Sequence, residues 1–281
     1  MSIDRDRLLA LTATSMIAWT PTRTALYALG VGLGRDPMDM AGLRYVAREP
    51  LRTLPSMMAS LLIGHGIGAK DMGITFRAVV HSAQRVSVPK PLPDHGRARV
   101  RTSVIAVHDN GAARGATIVT RAEITDEVSG DRIATAETEI LARADGGFGG
   151  RPPVREPWRR PDHTPDHSVT VDIRPDQAIL FRLSGDTNPL HVDPDIARAA
   201  GFARPILQGL CSYGIACAAV RTLASDDECG LDFSARFSAP VFPGDRLVVY
   251  LWRAGDAILF EGRVPQRDSV VLKGGRATLL T

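Results

Sequence analysis

ARFSAPVFPGDR, residues 235–246, reads as a second edition of QRVSVPKPLPDHGR at 84–97. Arg236 falls on Arg85 and Ser238 on Ser87, an offset of 151 residues. In each copy an apolar alternation runs into a proline, then a second proline and a glycine, the pattern of a strand ending in a turn. At nearly the same offset LYALGVG (26–32) lies over LFRLSGD (180–186), aligning Tyr27 with Phe181 and Leu29 with Leu183. Two matches at one spacing point to an internally duplicated chain.

Both copies also share a coarse plan of a loop, an apolar helix and several strands joined by hairpins. The first helix is expected within LPSMMASLLIG (54–64). It is followed by ARVRTSVIAVH, GATIVTRAEIT and RIATAETEILAR, with turns at Asp109-Asn110-Gly111 and near Ser129-Gly130. In the second copy PILQGLCSYGIACAAVRTLAS (205–225) is small or apolar on almost every face, the signature of a helix buried all round. Such a helix needs a wrapper, and DFSARFSAP, DRLVVYLWRA, AILFEGRVP and SVVLKGGRATLL can supply a curled antiparallel sheet. The expected division is a first half over 1–145, a glycine-, proline- and charge-rich linker over 146–167, and a second half over 168–281.

Composition narrows the function. With 281 residues, 44% apolar and 23% charged, the chain has the make-up of a globular protein. Its charge of +3 comes from arginine, because Lys70, Lys90 and Lys273 are the only lysines. The arginines are scattered and no helix-turn-helix, RNP or zinc-finger pattern accompanies them, so nucleic acid is not an expected partner, whereas a small phosphate-bearing ligand is. Cys211, Cys217 and Cys229 are an odd number without CxxC spacing, which argues against disulfides and zinc and for a reducing cytosol. MSIDRDRLLALTATSMIAW at the N-terminus lacks the uninterrupted core and A-x-A site of a signal peptide and reads as a leader to the fold, and no apolar run is long enough to cross a bilayer. GVGLG (30–34) lacks the spacing of a dinucleotide loop.

SGDTNPLHVDP (184–194) is where chemistry is concentrated. Asp193-Pro194 starts a short helix and Gly201 stops it, which places His191 just ahead of the helix. Upstream, Pro189 pushes Asn188 out of helical geometry. The loop is stiffened on both sides and carries a carboxylate, Asp186, and an imidazole, His191, as general acid–base work requires. The same residue types also serve as turns and caps, and His191 with Asp193 could hold a metal, although further ligands at a recognisable spacing are missing. At the aligned positions the first copy has Gly32 and Pro37, so the fold does not itself demand the ionisable pair.

Across 181–214, FRLSGDTNPLHVDPDIARAAGFARPILQGLCSYG resembles the motif of hydratase 2, the MaoC-like (R)-specific enoyl-CoA hydratases that include the hydratase part of peroxisomal multifunctional enzyme type 2. LYALGVGLG, LRTLPSM, PLP, GGFGG and ARFSAPVFPGDRLVVYLW extend the resemblance over nearly the whole chain. It implies an α+β fold, a tandem hot-dog in which each half wraps a curved antiparallel sheet around a central helix. It also implies catalytic Asp186 and His191 around one water, Asn188 orienting the site, and the Gly209 backbone N–H stabilising the thioester oxygen at the start of the buried helix. A homodimer is implied too, with CoA entering as part of the substrate and no separate cofactor or metal. Arg204, Gln208 and Arg236 are candidates for substrate contact.

The chain departs from that pattern where the family commonly reads PILHGL, since Gln208 replaces the histidine. Ser82 likewise stands where glycine is often found. Both changes are expected along the path of the acyl group. The activity so implied is hydration of a trans-2-enoyl-CoA to a (3R)-3-hydroxyacyl-CoA. Gly32 at the position aligned with Asp186 and the small and flexible side chains of SMMASLLIG (56–64) lead to the expectation that the first half accommodates a long-chain or bulky acyl group, a steroid side chain among them. The alternatives are a hot-dog acyl-CoA thioesterase and a non-catalytic acyl-CoA-binding or partner subunit.

Overall fold

The computed structural model describes residues 3–155, 157–223 and 229–280. Its strands are β1 (Thr12–Trp19), β2 (Val79–Val88), β3 (Gly96–Asp109), β4 (Ala116–Asp126), β5 (Arg132–Ala142), β6 (His167–Asp172), β7 (Gly230–Phe237), β8 (Arg246–Ala254), β9 (Ala257–Val264) and β10 (Ser269–Leu280). The helices are α1 (Arg5–Leu9), α2 (Pro21–Gly30), α3 (Met40–Leu43), α4 (Met57–Leu61), α5 (Ala69–Met72), α6 (Gln177–Arg182), α7 (Pro194–Ala199) and α8 (Gly209–Leu223). Among the described residues no helix is long and apolar enough to cross a membrane.

All ten strands join one sheet in the order β1-β3-β4-β5-β2-β7-β10-β9-β8-β6, which reads the same from either edge once the copies are equated. The halves meet through antiparallel β2 and β7, where Ala83 faces Arg236, Gln84 faces Ala235 and Arg85 faces Ser234. At the 151-residue offset Ala83 is the counterpart of Ser234 and Arg85 that of Arg236. The register is therefore that of a twofold axis passing between Gln84 and Ala235. Tyr27 and Phe181, aligned in the repeat, meet with ring centroids 5.9 Å apart where α2 crosses α6. A Cβ on Gly30 would lie 3.2 Å from the Phe181 Cα, so a larger residue there would push the two helices apart by a few tenths of an ångström.

Helix α8 runs through the core of the second half, buried on nearly every face as its composition predicts. Phe233 and Phe260 stack 4.9 Å apart on the surrounding sheet, and the Tyr213 hydroxyl donates to the Phe233 carbonyl at 2.7 Å. The helix begins at Gly209 and not at 205, because the preceding residues are extended and the Leu207 N–H bonds the Val241 carbonyl at 2.7 Å. Its expected end at 225 lies outside the described residues.

The first half differs. Its helix α4 is five residues long, against the 54–64 expected. Gly64 and Gly66 adopt φ of 78° and 94°, and this left-handed backbone turns the chain aside. Where α8 fills its half, the first half keeps a cavity of about 270 Å³. The segment between the copies lies against the outer face of the sheet: Arg155 pairs with Glu139 at 2.8 Å, and the Trp252 indole donates to the His163 carbonyl at 3.1 Å.

Candidate active site

Helix α6 ends by lifting the chain into the loop that opens the chemistry. Gly185 takes φ of 117°, a left-handed conformation that glycine accepts readily, and delivers Asp186. The Arg182 guanidinium donates to the Thr187 carbonyl at 2.6 Å and ties the loop back to the helix. One Asp186 carboxylate oxygen, Oδ1, accepts the Asn188 N–H at 3.2 Å. Asn188 in turn accepts the Leu190 N–H on its own Oδ1 at 3.1 Å and so caps the single turn Pro189–His191. The expected helix start follows, with Asp193 capping α7 through the N–H groups of Asp195 and Ile196.

His191 is buried, at 9% exposure, and its Nδ1–H donates to the Ile206 carbonyl at 2.9 Å, since a carbonyl can only accept. In the neutral ring the lone pair is therefore on Nε2, which faces Asp186 Oδ2 at 3.8 Å. Burial pushes the His191 pKa below its usual 6.5 and outweighs the opposing pull of the Asp186 charge. The arrangement is a carboxylate beside a neutral imidazole, separated by more than a hydrogen bond. One water at about 2.8 Å can bond both at once.

Ile206 links this pair to the start of α8, three residues before Gly209. The Gln208 carbonyl accepts from the Cys211 and Ser212 N–H groups, so Gly209 occupies the first turn, where backbone N–H groups have no acceptor within the helix. The Phe237 ring covers this glycine: a Cβ on Gly209 would lie 3.2 Å from it. On the other side of Phe237 stands His81, edge-on with centroids 4.8 Å apart. Its Nε2–H donates to the Ala83 carbonyl at 3.1 Å, burial lowers its pKa to about 4, and the Asp186 charge is near enough to oppose that shift.

The structure thus brings Asp186, His191 and Asn188 together, and the His191–Ile206 hydrogen bond ties them to the segment that leads into Gly209. The other candidates are placed differently. Arg236 stands on the outer face of the sheet beside Arg85 and Glu137, while its neighbour Phe237 points inward to the site. Gln208 is fully buried, and its amide donates to the Ala178 carbonyl at 2.9 Å, tying α8 to α6 instead of lining the cavity. Ser82 is the extra residue of a bulge between His81 and Ala83, and its hydroxyl bonds Glu139 on the outer face, off the expected acyl path. Arg204 is exposed, its guanidinium 5.2 Å over the Phe242 ring. His81 and Phe237 were not among the expected site residues. Nothing in their local sequence distinguishes them from ordinary strand residues, because the bulge that turns His81 inward is set by pairing with β5. Cys211 donates to the Gly30 carbonyl from a buried position that raises its thiol pKa, as a packing residue would. Among the described residues no cluster of histidine, cysteine and acidic side chains could hold a metal ion.

Two family models cover the chain: the MFE-2 hydratase 2 N-terminal domain matches residues 18–144, and the MaoC-like domain matches 157–273. The chain is 37% identical over 265 residues to enoyl-CoA hydratase ChsH3 of Mycobacterium tuberculosis, spanning 92% of each protein. The chain belongs to the MaoC-like hydratase 2 family. To the peroxisomal enoyl-CoA hydratase 2 of Arabidopsis thaliana this hydratase 2 member is 30% identical, covering 89% of its own length and 87% of the relative's. The crystal structure of a MaoC-like dehydratase from Phytophthora capsici superimposes with a TM-score of 0.84 at 27% identity, covering 98% of both chains. A likeness to a mycobacterial protein with a double hot-dog fold, at 14% identity and a TM-score of 0.58, bears on the fold alone.

Proposed function

We propose that the protein adds water to a trans-2-enoyl-CoA and yields a (3R)-3-hydroxyacyl-CoA. The observation that carries this reading is the neutral His191 Nε2 held 3.8 Å from the Asp186 carboxylate, at the start of a buried helix whose first N–H groups lack internal partners. In this reading a water donates one hydrogen to His191 Nε2 and the other to Asp186. Its oxygen attacks C3 while the pair takes up a proton, and a proton passes to C2, so that one water is added across the double bond. The thioester oxygen gains negative charge as C3 is attacked, and the Gly209 N–H, with the positive end of α8 behind it, meets that charge. Donors of this kind are worth about 3 to 4 kcal/mol of barrier. The reaction is redox-neutral, and the protein's own acid–base groups carry each step, with CoA present as part of the substrate.

The acyl tail is proposed to enter the first-half cavity, which is bounded by Leu210 next to Gly209, by His81, and by Ala59, Leu62 and Ile63. At about 270 Å³ it approaches the lower end of ordinary small-molecule pockets. Long or branched acyl groups are proposed as the substrates on the strength of Gly32 at the position aligned with Asp186 and the small and flexible side chains of SMMASLLIG (56–64). Arg204 is proposed to contact a CoA phosphate from the surface. Resemblance to the family supports a homodimer, and cysteine usage supports a reducing cytosol. Light scattering on the purified protein tests the first.

The decisive experiment follows loss of the conjugated enoyl-thioester absorbance with purified protein and a panel of enoyl-CoAs, with chiral analysis of the product. Release of free thiol instead of hydration would replace this reading with a thioesterase.

A further inference from the structure

The inner face of the first-half sheet holds one row that is polar in every member. Strand pairing sets Ile118 beside Ile140 and Ile140 beside His81, at the level of the catalytic loop. One step further along the strands, pairing sets Thr120 beside Thr138 and Thr138 beside Gln84. The next row returns to Ala122, Ala136 and Val86, with Thr102 beside Ala122 as its own polar member. Thr120, Thr138, Gln84 and Thr102 all line the cavity, whose other polar members are His65 and His81 and whose remaining wall is apolar.

These groups only partly satisfy one another. The Thr138 hydroxyl donates to Gln84 Oε1 at 3.0 Å, and the Gln84 amide donates to the Arg85 carbonyl at 3.1 Å. Thr120 makes a long contact of 3.5 Å to the Thr138 carbonyl. The Gln84 side chain also bonds His81, so what stays open in the row is lone pairs on the Thr138 and Thr120 hydroxyls and the weakly engaged hydrogen of Thr120. A saturated alkyl tail laid over these hydroxyls would displace their water and offer no hydrogen bond in return.

We propose that the acyl group hydrated by this protein carries an oxygen function, a hydroxyl or a carbonyl, that hydrogen-bonds the Gln84–Thr138–Thr120 row. This rests on the hydratase reading and narrows its substrate. Successive inward residues of a strand are about 7 Å apart. The oxygen is thus placed several carbons beyond the reacting double bond.

The test compares trans-2-enoyl-CoAs of one chain length, unsubstituted or bearing a hydroxyl or oxo group at successive positions along the tail. The wild-type protein is measured beside a Thr120→Val, Thr138→Val double variant, which keeps side-chain shape. A site built to bond a substrate oxygen discriminates strongly against the analogue lacking it. The best oxygenated ester is expected to exceed the unsubstituted one in kcat/KM by about tenfold or more, and the double variant to bring the ratio close to unity. A smaller wild-type ratio, or one that the double variant leaves unchanged, overturns the proposal. Should the double variant not fold, the wild-type ratio decides alone. Hydration of the unsubstituted ester without preference for oxygen sinks this inference only, whereas hydration of no ester in the panel sinks the hydratase reading itself.

Discussion

Asp186 Oδ2 and His191 Nε2 stand 3.8 Å apart, each fixed from behind, the carboxylate by the Asn188 N–H and the imidazole by the Ile206 carbonyl. The gap exceeds a hydrogen bond and fits one shared water. Neither side chain is needed to hold the sheet or the helix together. Asp186→Asn and His191→Ala are therefore each expected to lower kcat by about 10²- to 10⁴-fold while leaving far-ultraviolet dichroism unchanged. Full activity in either variant ends the proposed mechanism.

The pH profile follows from the burial of His191. The ring accepts a proton only when neutral, and its pKa lies below 6.5. The rate kcat/KM is expected to stay level through neutrality and to fall only on the acid side of 6.5, with the limb moving further down in Asp186→Asn, where the charge that raises the pKa is gone. An acid limb above pH 6.5, or one moving upward in the variant, contradicts this placement of the ring.

Stability carries a separate signature from His81. Its folded pKa of about 4 is below the unfolded value of 6.5, so between these limits the unfolded chain binds the proton and the folded chain does not. As pH falls through this window each unit is expected to cost about 1.4 kcal/mol, and the loss is complete below about 4. Above 6.5 the group contributes nothing to the slope. His81→Phe keeps a ring against Phe237 and removes the titration. Urea midpoints measured against pH should fall less steeply in acid for the variant than for wild type.

Arg35 fastens the halves to each other. Its guanidinium donates to the Asp172 carbonyl at 2.7 Å and to the Gln177 side chain, and Gln177, fully buried, donates to the Gly30 carbonyl. Arg35→Ala strands the Gln177 oxygen, and a loss of about 1 to 3 kcal/mol is expected in denaturant unfolding. An unchanged midpoint would show that water takes the place of the guanidinium.

Two arginines make opposite predictions. Arg204, exposed over Phe242, is expected to raise KM for CoA esters and weaken free CoA binding when changed to alanine. Arg236→Ala, on the outer face of the sheet, should leave both unchanged. The reverse outcome would place the CoA path across the other side of the protein.

The amino-acid sequence by itself determined the duplication, the buried second helix and the stiffened loop that carries Asp186 and His191. The reason is that each is written in local terms. A fixed offset appears as repetition, all-round apolarity marks burial, and Asn188-Pro189 and Asp193-Pro194 fix backbone within a few residues of where they stand. The seam agrees with the repeat, since a twofold axis between equivalent strands requires the register seen at Gln84 and Ala235.

Only the tertiary structure decided which side chains reach the site from the first half. Alternation along β2 does not show that Ser82 is an extra residue, yet that bulge moves Ser82 to the outer face and leaves His81 on the inner one, because one residue of slip exchanges the two faces of a strand. Arg236 and Phe237 are likewise adjacent in sequence and on opposite sides of the sheet. Room in the first half was expected from small side chains, but the place and shape of the cavity had no local signature. It exists because α4 ends early at a glycine turn while the strands around it close as they do around α8, so its shape belongs to the packing of distant elements and not to any one stretch of chain.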